Sequence, residues 1–193
     1  MDAINLLFGI ALLYSLVANF SAAQKGFKDK LTKTVYKPTT YLQKLPPNIS
    51  ALVLVLQIIG IFQLGTIENF LSETFYAYRI SFLILYIITS LLQVKAFKNL
   101  GKNYSQDIVI KHNHELVTSG LHKKIRHPQY LFQLLSDLCA GLVLASYLVI
   151  AVVMIIEIPL FVLRAKREEK MLLNHFKEEY EVYKNNSCFF LPF

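Results

Sequence analysis

The sequence predicts an all-α, integral membrane helical bundle of about five transmembrane helices with a cytoplasmic C-terminal amphipathic helix. Three observations lead there. The 193 residues are 54% hydrophobic and only 17% charged, where soluble domains sit near ~45–50% and ~25%. The excess, a mean hydropathy of +0.43, is gathered into the runs 4–23, 49–65, 77–94 and 130–163. A bilayer core of about 30 Å takes about 20 helical residues, so three runs give one span each and the last gives two short ones. The expected arrangement is a single domain over 1–193 with spans near 4–23, 49–66, 77–95, 128–144 and 147–164.

The first span competes with a cleaved signal peptide, but the residues ahead of it hold Asp2 and no basic group, so it is read as a retained helix. The connection 25–47 is basic and closes on Pro46-Pro47. That pair is expected to keep the second helix from starting before Asn48, with Asn48 or Ser50 as its N-cap. Leu144-Ala145-Ser146-Tyr147 is the expected turn between the fourth and fifth spans. Pro159 removes a backbone hydrogen bond and is expected to kink the fifth.

Charge gives the orientation, because cytoplasmic loops collect Lys and Arg. Six lysines lie within 25–44, seven basic residues within 95–126 and six within 164–184, leaving only Arg79. The N-terminus, the acidic 66–78 connection and the 144–147 turn are therefore expected outside. The C-terminus and most polar residues are expected in the cytoplasm. The net charge of +7 follows from this topology and from attraction to anionic membrane lipids; nucleic acid is not an expected partner.

Residues 100–126 contain Gly101, Asn103, Asn113, Ser119 and Gly120, with Ile108-Val109-Ile110 as the one strand-like run. Irregular structure or a short hairpin is expected here. Such backbone survives at membrane depth only against protein or a water-filled cavity, which points to a pocket. Past Leu163 the pattern becomes amphipathic, with Leu172, Phe176, Tyr180 and Tyr183 on one face. That helix either lies on the headgroups or joins the loop in roofing a site.

The residues able to do chemistry are concentrated. Four of five histidines, His112, His114, His122 and His127, fall in sixteen positions with Arg126 and Tyr130, and Arg164, Glu168 and Glu169 follow the last span. Metal is not expected, because no histidine pair has helical i, i+4 spacing and neither Cys139 nor Cys188 joins them. The seven glycines form no dinucleotide-binding fingerprint. Asp137 and Glu157 lie inside apolar runs, where a carboxyl costs about 2.5–3.5 kcal/mol. Both interhelical hydrogen bonding and a polar contact in a substrate tunnel are open to them.

Read in order, Gly101, His114-Glu115-Leu116-Val117-Thr118-Ser119-Gly120, Arg126-His127-Pro128-Gln129-Tyr130, Arg164-x-x-x-Glu168-Glu169, Phe176, Glu179-Tyr180, Tyr183 and Leu191-Pro192-Phe193 resemble the isoprenylcysteine carboxyl methyltransferase family, in its prokaryotic-type, integral membrane form. The likeness covers 100 to the end. It implies an S-adenosyl-L-methionine-dependent methyltransferase acting on a lipophilic, prenylated or lipid-like substrate, with cofactor-site regions near 100–130 and 164–193. Carried over by position, His114, Glu115, Leu116, Val117, Gly120, His122, His127, Pro128, Gln129, Tyr130 and Glu168 are the implied cofactor contacts. Arg164 is the implied substrate-binding residue, catalytic together with Glu168. The family usually has tyrosine where His122 stands and glycine where Lys177 stands.

The residue types suit such a cofactor, whose sulfonium, amino-acid end and base call for a carboxylate, a few hydrogen-bonding groups and apolar walls. Pro128 fits the first turn of the fourth span. Arg164 and Glu168, four apart on a helix, point the same way, although a plain surface pair of that kind is worth only about 0.3–0.5 kcal/mol. Carboxyl methylation needs no base, and Arg164 is suited to hold a carboxylate. An amine substrate, as in phospholipid or amine N-methylation, would need Glu168, Glu169 or a neutral histidine as base. The Arg-His-Pro-x-Tyr stretch is also similar to the end of the NADPH-dependent membrane sterol reductases, whose chains are considerably longer. A non-enzymatic membrane scaffold is the third class.

Overall fold

The computed structural model describes residues 2–28 and 34–190. Helix α1 is Ala3–Lys28. Asp2 starts it as the N-cap, its Oδ1 accepting from Asn5 N at 2.8 Å. A short strand β1, Thr34–Tyr36, and a 3-10 turn, Tyr41–Gln43, lead to α2, Leu45–Ile61. The second helix thus starts three residues earlier than expected. Pro46 and Pro47 lie inside its first turn, where no intrahelical N–H is needed, rather than blocking it. The expected side-chain cap at Asn48 or Ser50 is absent; Thr40 instead caps the preceding 3-10 turn through Leu42 N.

Helix α3, Tyr76–Leu100, is followed by the irregular segment that carries β2, Ile110–Lys111. The short hairpin considered for this segment does not form. β2 pairs antiparallel with β1, Tyr36 opposite Ile110, because a buried side chain connects the two regions. Gln43 donates to Ile108 O at 3.0 Å and to Pro38 O at 3.1 Å, and accepts from Ile108 N at 2.8 Å. The amide stands in for a strand partner and lets Ile108 and Ile110 pack with Leu42 and Met171 in a core of their own.

Helix α4, Pro128–Val143, turns at Leu144–Ser146 into α5, Tyr147–Val152. Ser146 caps α5, its hydroxyl accepting from Val149 N. A π-helical turn, Val153–Glu157, runs into α6, Ile158–Phe176. Pro159 sits just past this turn. Lacking an N–H and crowding the carbonyl four residues back, it is accommodated by the wider winding.

Among the described residues, four segments are long and apolar enough to cross a membrane: Ala3–Ala23, Tyr41–Ile61, Glu73–Asn103 and Tyr147–Phe176. With 16 residues, α4 reaches only ~24 Å. It nevertheless runs the length of the bundle, with Tyr130 beside Glu168 at one end and Val143 beside Arg79 at the other. Its neighbours rather than lipid cover most of its surface, so the apolarity demanded of a lone span is relaxed.

At that second end Arg79 ties three helices together. The guanidinium, 2% exposed, donates to both Asp2 carboxylate oxygens (2.8 and 3.2 Å), to Asn5 Oδ1 (2.6 Å) and to Val143 O (2.8 Å). The last is a carbonyl that the end of α4 leaves without an intrahelical partner. Arg79 holds the Asp2 carboxyl below its ordinary range against the opposing pull of burial. Around this clamp Phe8, Tyr86, Ala140, Val143 and Leu144 form the main core.

The amphipathic tail is not the single helix its periodicity implied. α6 carries the fifth span straight through to Phe176; the chain then breaks at Lys177 and resumes as α7, Glu178–Asn185. Lys177 has φ 48° and ψ −119°, a region that a Cβ makes costly and glycine enters freely. Lys177→Gly relieves about 1 kcal/mol of this strain, net of the entropy glycine adds to the unfolded chain. It should raise the thermal midpoint by about 2–4 °C for a chain of this size. Circular dichroism melts of both proteins in one detergent check this; an unchanged or lower midpoint contradicts it.

Candidate functional site

One cavity gathers the segment 100–117, the start of α4, the outer half of α6 and α7. The irregular loop contributes Asn103, Tyr104, Asp107, Ile108 and the arm His114-Glu115-Leu116-Val117; α4 and its approach contribute His122, Arg126, His127, Gln129 and Tyr130; the tail contributes Glu168, Met171, Leu172, Tyr180 and Tyr183. Of the residues singled out from sequence, His114, Glu115, Leu116, Val117, His122, His127, Gln129, Tyr130 and Glu168 all stand on this wall.

Gly120, Pro128 and Arg164 do not. Gly120 has φ +60°, and a Cβ there would lie 2.0 Å from Asn99 Nδ2, so the glycine is needed for the loop to close on α3. Pro128 opens α4 and fixes how His127 and Gln129 leave the helix end. Arg164, 3% exposed, lies behind Tyr130. His112 points away, its ring 3.0 Å from Asn113. The Leu191-Pro192-Phe193 motif falls outside the described residues.

Two interlocked networks form the wall between α4 and α6. In the first, Arg164 Nε donates to the Tyr130 hydroxyl (2.9 Å) and to Glu168 Oε1 (3.2 Å), while Tyr130 donates to the same Glu168 oxygen (2.5 Å). The terminal guanidinium nitrogens hold Leu42 O and Gln106 O. Of five guanidinium N–H groups, two remain, one on each terminal nitrogen. In the second network Arg126 Nε donates to Glu169 (2.5 Å), and its Nη1 donates to Lys184 O and Ser187 O. The Arg126 and Cys188 backbones add a further bond, N to O, of 2.8 Å. These contacts fasten the tail over the site.

Between the two networks His127 stacks parallel to Tyr130, with centroids 5.7 Å apart. Its Nδ1 lies 3.8 Å from Glu168 and its Nε2 lies 3.4 Å from Glu169, neither aligned as a hydrogen bond. His127 and Glu168 therefore converge on one cavity. Glu115 occupies its rim, paired with Lys102 at 2.8 Å.

The polar atoms on the wall are poorly satisfied by the protein itself. His114 Nδ1, both ring nitrogens of His122, His127 Nε2, Gln129 Oε1 and the Tyr180 hydroxyl are buried without a well-formed hydrogen bond. A buried group in that condition costs about 1–3 kcal/mol. Six around one cavity make a set of donors and acceptors facing a polar ligand. Burial keeps the His114 and His122 imidazoles neutral, pushed down to about 4, with Lys111 and His175 adding to the effect at His114 and the Gln129 amide opposing it at His122. The phenol of Tyr183 is pushed up to about 12 by burial; it donates to His122 O at 2.7 Å. Among the described residues no three His, Cys, Asp or Glu side chains assemble as metal ligands.

Sequence reasoning missed the Arg126–Glu169 clasp, the loop residues Asn103, Tyr104 and Asp107, and Met171. The clasp joins positions 43 apart, which no local periodicity reveals.

Fold and site together define an integral membrane helical bundle with a polar cavity at one end of its helices. Across 82–174, just under half of its length, the chain matches the sequence model of the isoprenylcysteine carboxyl methyltransferase family. No curated protein matches it significantly over its sequence. Among solved structures, the eukaryotic intramembrane Ras methyltransferase, isoprenylcysteine carboxyl methyltransferase, is similar, with a TM-score of 0.65 at 19% identity. The alignment covers all of this chain and 69% of that one, and it shows the shared fold.

Neutral His114 and His122 give a signed pH dependence. Unfolded histidines take protons as pH falls below about 6.5, whereas the folded pair resists until about 4. Their contribution is complete above about 6.5 and is lost as pH falls toward about 4. Thermal midpoints followed over that window should drop, and more steeply for the native protein than for His122→Phe. Equal slopes would contradict the assignment.

Proposed function

We propose that the chain is an S-adenosyl-L-methionine-dependent methyltransferase that esterifies the carboxylate of a lipophilic, prenylcysteine-like substrate resident in the membrane. The observation that carries the reading is the convergence of six partnerless buried polar atoms and one carboxylate, Glu168, on a single cavity of a chain that matches the family model. The family match supports methyl transfer, and the donor set fits the cofactor. Glu168 offers a carboxylate to a cationic group, Gln129, His122 and His114 offer hydrogen bonds, and Leu116, Val117, Met171 and Leu172 offer apolar walls. When bound, the cofactor supplies an electrophilic methyl group on a sulfonium.

The residues of the chain then have three tasks. Glu168, held by Tyr130 and Arg164, presents a fixed negative charge. Arg164, behind Tyr130 in the closed wall, is reached by the acceptor carboxylate when the loop carrying Gln106 moves away, and it then holds that carboxylate with its freed N–H groups as a planar fork does, aligned for transfer. The tail, fastened through Arg126 and Glu169, excludes water. No general base is required, consistent with the neutral histidines serving as hydrogen-bonding groups. The cavity encloses about 110 Å³, less than the roughly 300–1,000 Å³ usual for small-molecule sites. Loading therefore requires the wall to move, and the irregular segment 104–117, which carries Gln106, is the part that yields. The count of Lys and Arg argues for a cytoplasmic site and C-terminus with the N-terminus outside.

The test uses the purified protein in nanodiscs, methyl-labelled S-adenosylmethionine and an S-farnesylcysteine acid. The expected product carries a base-labile methyl ester. Glu168→Gln weakens cofactor binding by about tenfold or more, the scale of a hydrogen bond to a charged group. Arg164→Lys chiefly raises the KM for the acid. A base-stable label, or unchanged cofactor affinity in Glu168→Gln, would overturn the assignment.

A further inference from the structure

A groove of about 330 Å³ runs between α1, α2, α3 and α4. It starts beside Leu16 and Phe20, whose side chains are exposed on α1, and ends at Tyr104, which also lines the cofactor cavity. A lipophilic molecule lying in it places one end at the candidate methyl-transfer site. The wall is not the hydrocarbon surface that a simple isoprenoid needs, because Gln57, Gln93, Gln133, Ser136 and Asp137 face it from three helices.

Much of this polarity is ordinary interhelical bonding. Ser136 lies 2.9 Å from the Thr89 hydroxyl, and Ser50 donates to Glu157 at 2.7 Å. Asp137 differs. Its Oδ1 accepts from Gln57 at 2.7 Å, yet the residue is only half-buried, and its other carboxyl oxygen has no hydrogen-bond partner among the described residues. A carboxyl held open within an apolar span is unfavourable, so it calls for a polar group in the groove. Seven residues separate Tyr130 from Asp137 on α4, which places the carboxyl ~10 Å deeper than the phenol.

We infer that the substrate's lipophilic part carries a hydroxyl group about two helical turns from its methyl-accepting carboxylate, and that Asp137, braced by Gln57, receives it. A hydroxyl suits the site whichever protonation state Asp137 adopts, since it donates to a carboxylate and accepts from a carboxylic acid. A saturated or purely isoprenoid chain leaves the carboxyl unmatched. This inference rests on the reading of the cavity as the methyl-transfer site and narrows its substrate class.

The experiment measures equilibrium binding in nanodiscs of two probes: S-farnesylcysteine acid, and the same molecule with a hydroxyl on the chain ~10 Å from the carboxylate, matching the depth of Asp137. The native protein should bind the hydroxylated probe about fivefold tighter or more, the scale of one hydrogen bond. Asp137→Leu should bring the two affinities together, while Asp137→Asn, which keeps a polar partner, should retain a preference. Cofactor binding by each variant reports that it has folded. Equal or weaker binding of the hydroxylated probe by the native protein overturns the inference, as does a preference that survives in Asp137→Leu. The comparison needs no turnover, so it stands apart from the methyltransferase reading, which fails instead if the native protein binds no cofactor or forms no base-labile product.

Discussion

The architecture around the cavity depends on one buried guanidinium. Arg164 is satisfied by a phenol, a carboxylate and two backbone carbonyls from four separate stretches of chain: Tyr130 on α4, Glu168 on its own helix, Leu42 before α2 and Gln106 in the irregular loop. A cation this deeply buried is tolerable only with opposite charge and hydrogen-bond acceptors around it. The stretches that supply them are thereby held in register. The same demand positions Tyr130 and Glu168 on the cavity wall. Arg79 does the equivalent work at the opposite end of the bundle, where Asp2, Asn5 and Val143 converge on it. A helical bundle in lipid has little hydrophobic drive to bring its helices together, and two arginines pin it at its two ends.

What the sequence discloses follows from the range of each interaction. Apolar runs reveal helices because lipid imposes a length on them, and Pro128 marks the start of α4 because only a first turn tolerates it. The motifs around His114, His127 and Glu168 are short and ordered, so a family resemblance locates the regions that come together. The Gln43–Ile108 pairing spans 65 positions and gives no local signal. It is the reason the strand run pairs outside its own loop rather than forming a hairpin. Pro46 and Pro47 suggest a block to helix formation yet lie in the first turn of α2, because sequence does not distinguish a residue before a helix from one inside its first turn.

The tail shows a second kind of limit. Leu172, Phe176, Tyr180 and Tyr183 repeat at helical spacing across a position where the helix stops, because the break at Lys177 turns the chain without moving the apolar face away from the cavity. Tyr180 and Tyr183 remain buried on its wall. Periodicity reports which side of a segment is covered and is blind to a bend that preserves that side. The lysine carries a backbone conformation suited to glycine, in keeping with the glycine that the family resemblance places there.

The π-helical turn at Val153–Glu157 has a consequence for how this rod tolerates change. Each residue of an α-helix advances about 100° around the axis, so the extra residue absorbed there sets the rotational phase between the membrane-buried half of the rod and the half bearing Arg164 and Glu168. Deleting one residue would let the winding relax to a uniform α-helix. Because the wide turn already holds one residue more than an α-helix needs, that change would leave Arg164 and Glu168 close to their partners, whereas a deletion in the flanking α-helix would swing both about a quarter turn away with hydropathy and span length nearly unaltered. Insertions and deletions outside the turn are therefore constrained by phase, a property invisible to any measure of apolarity.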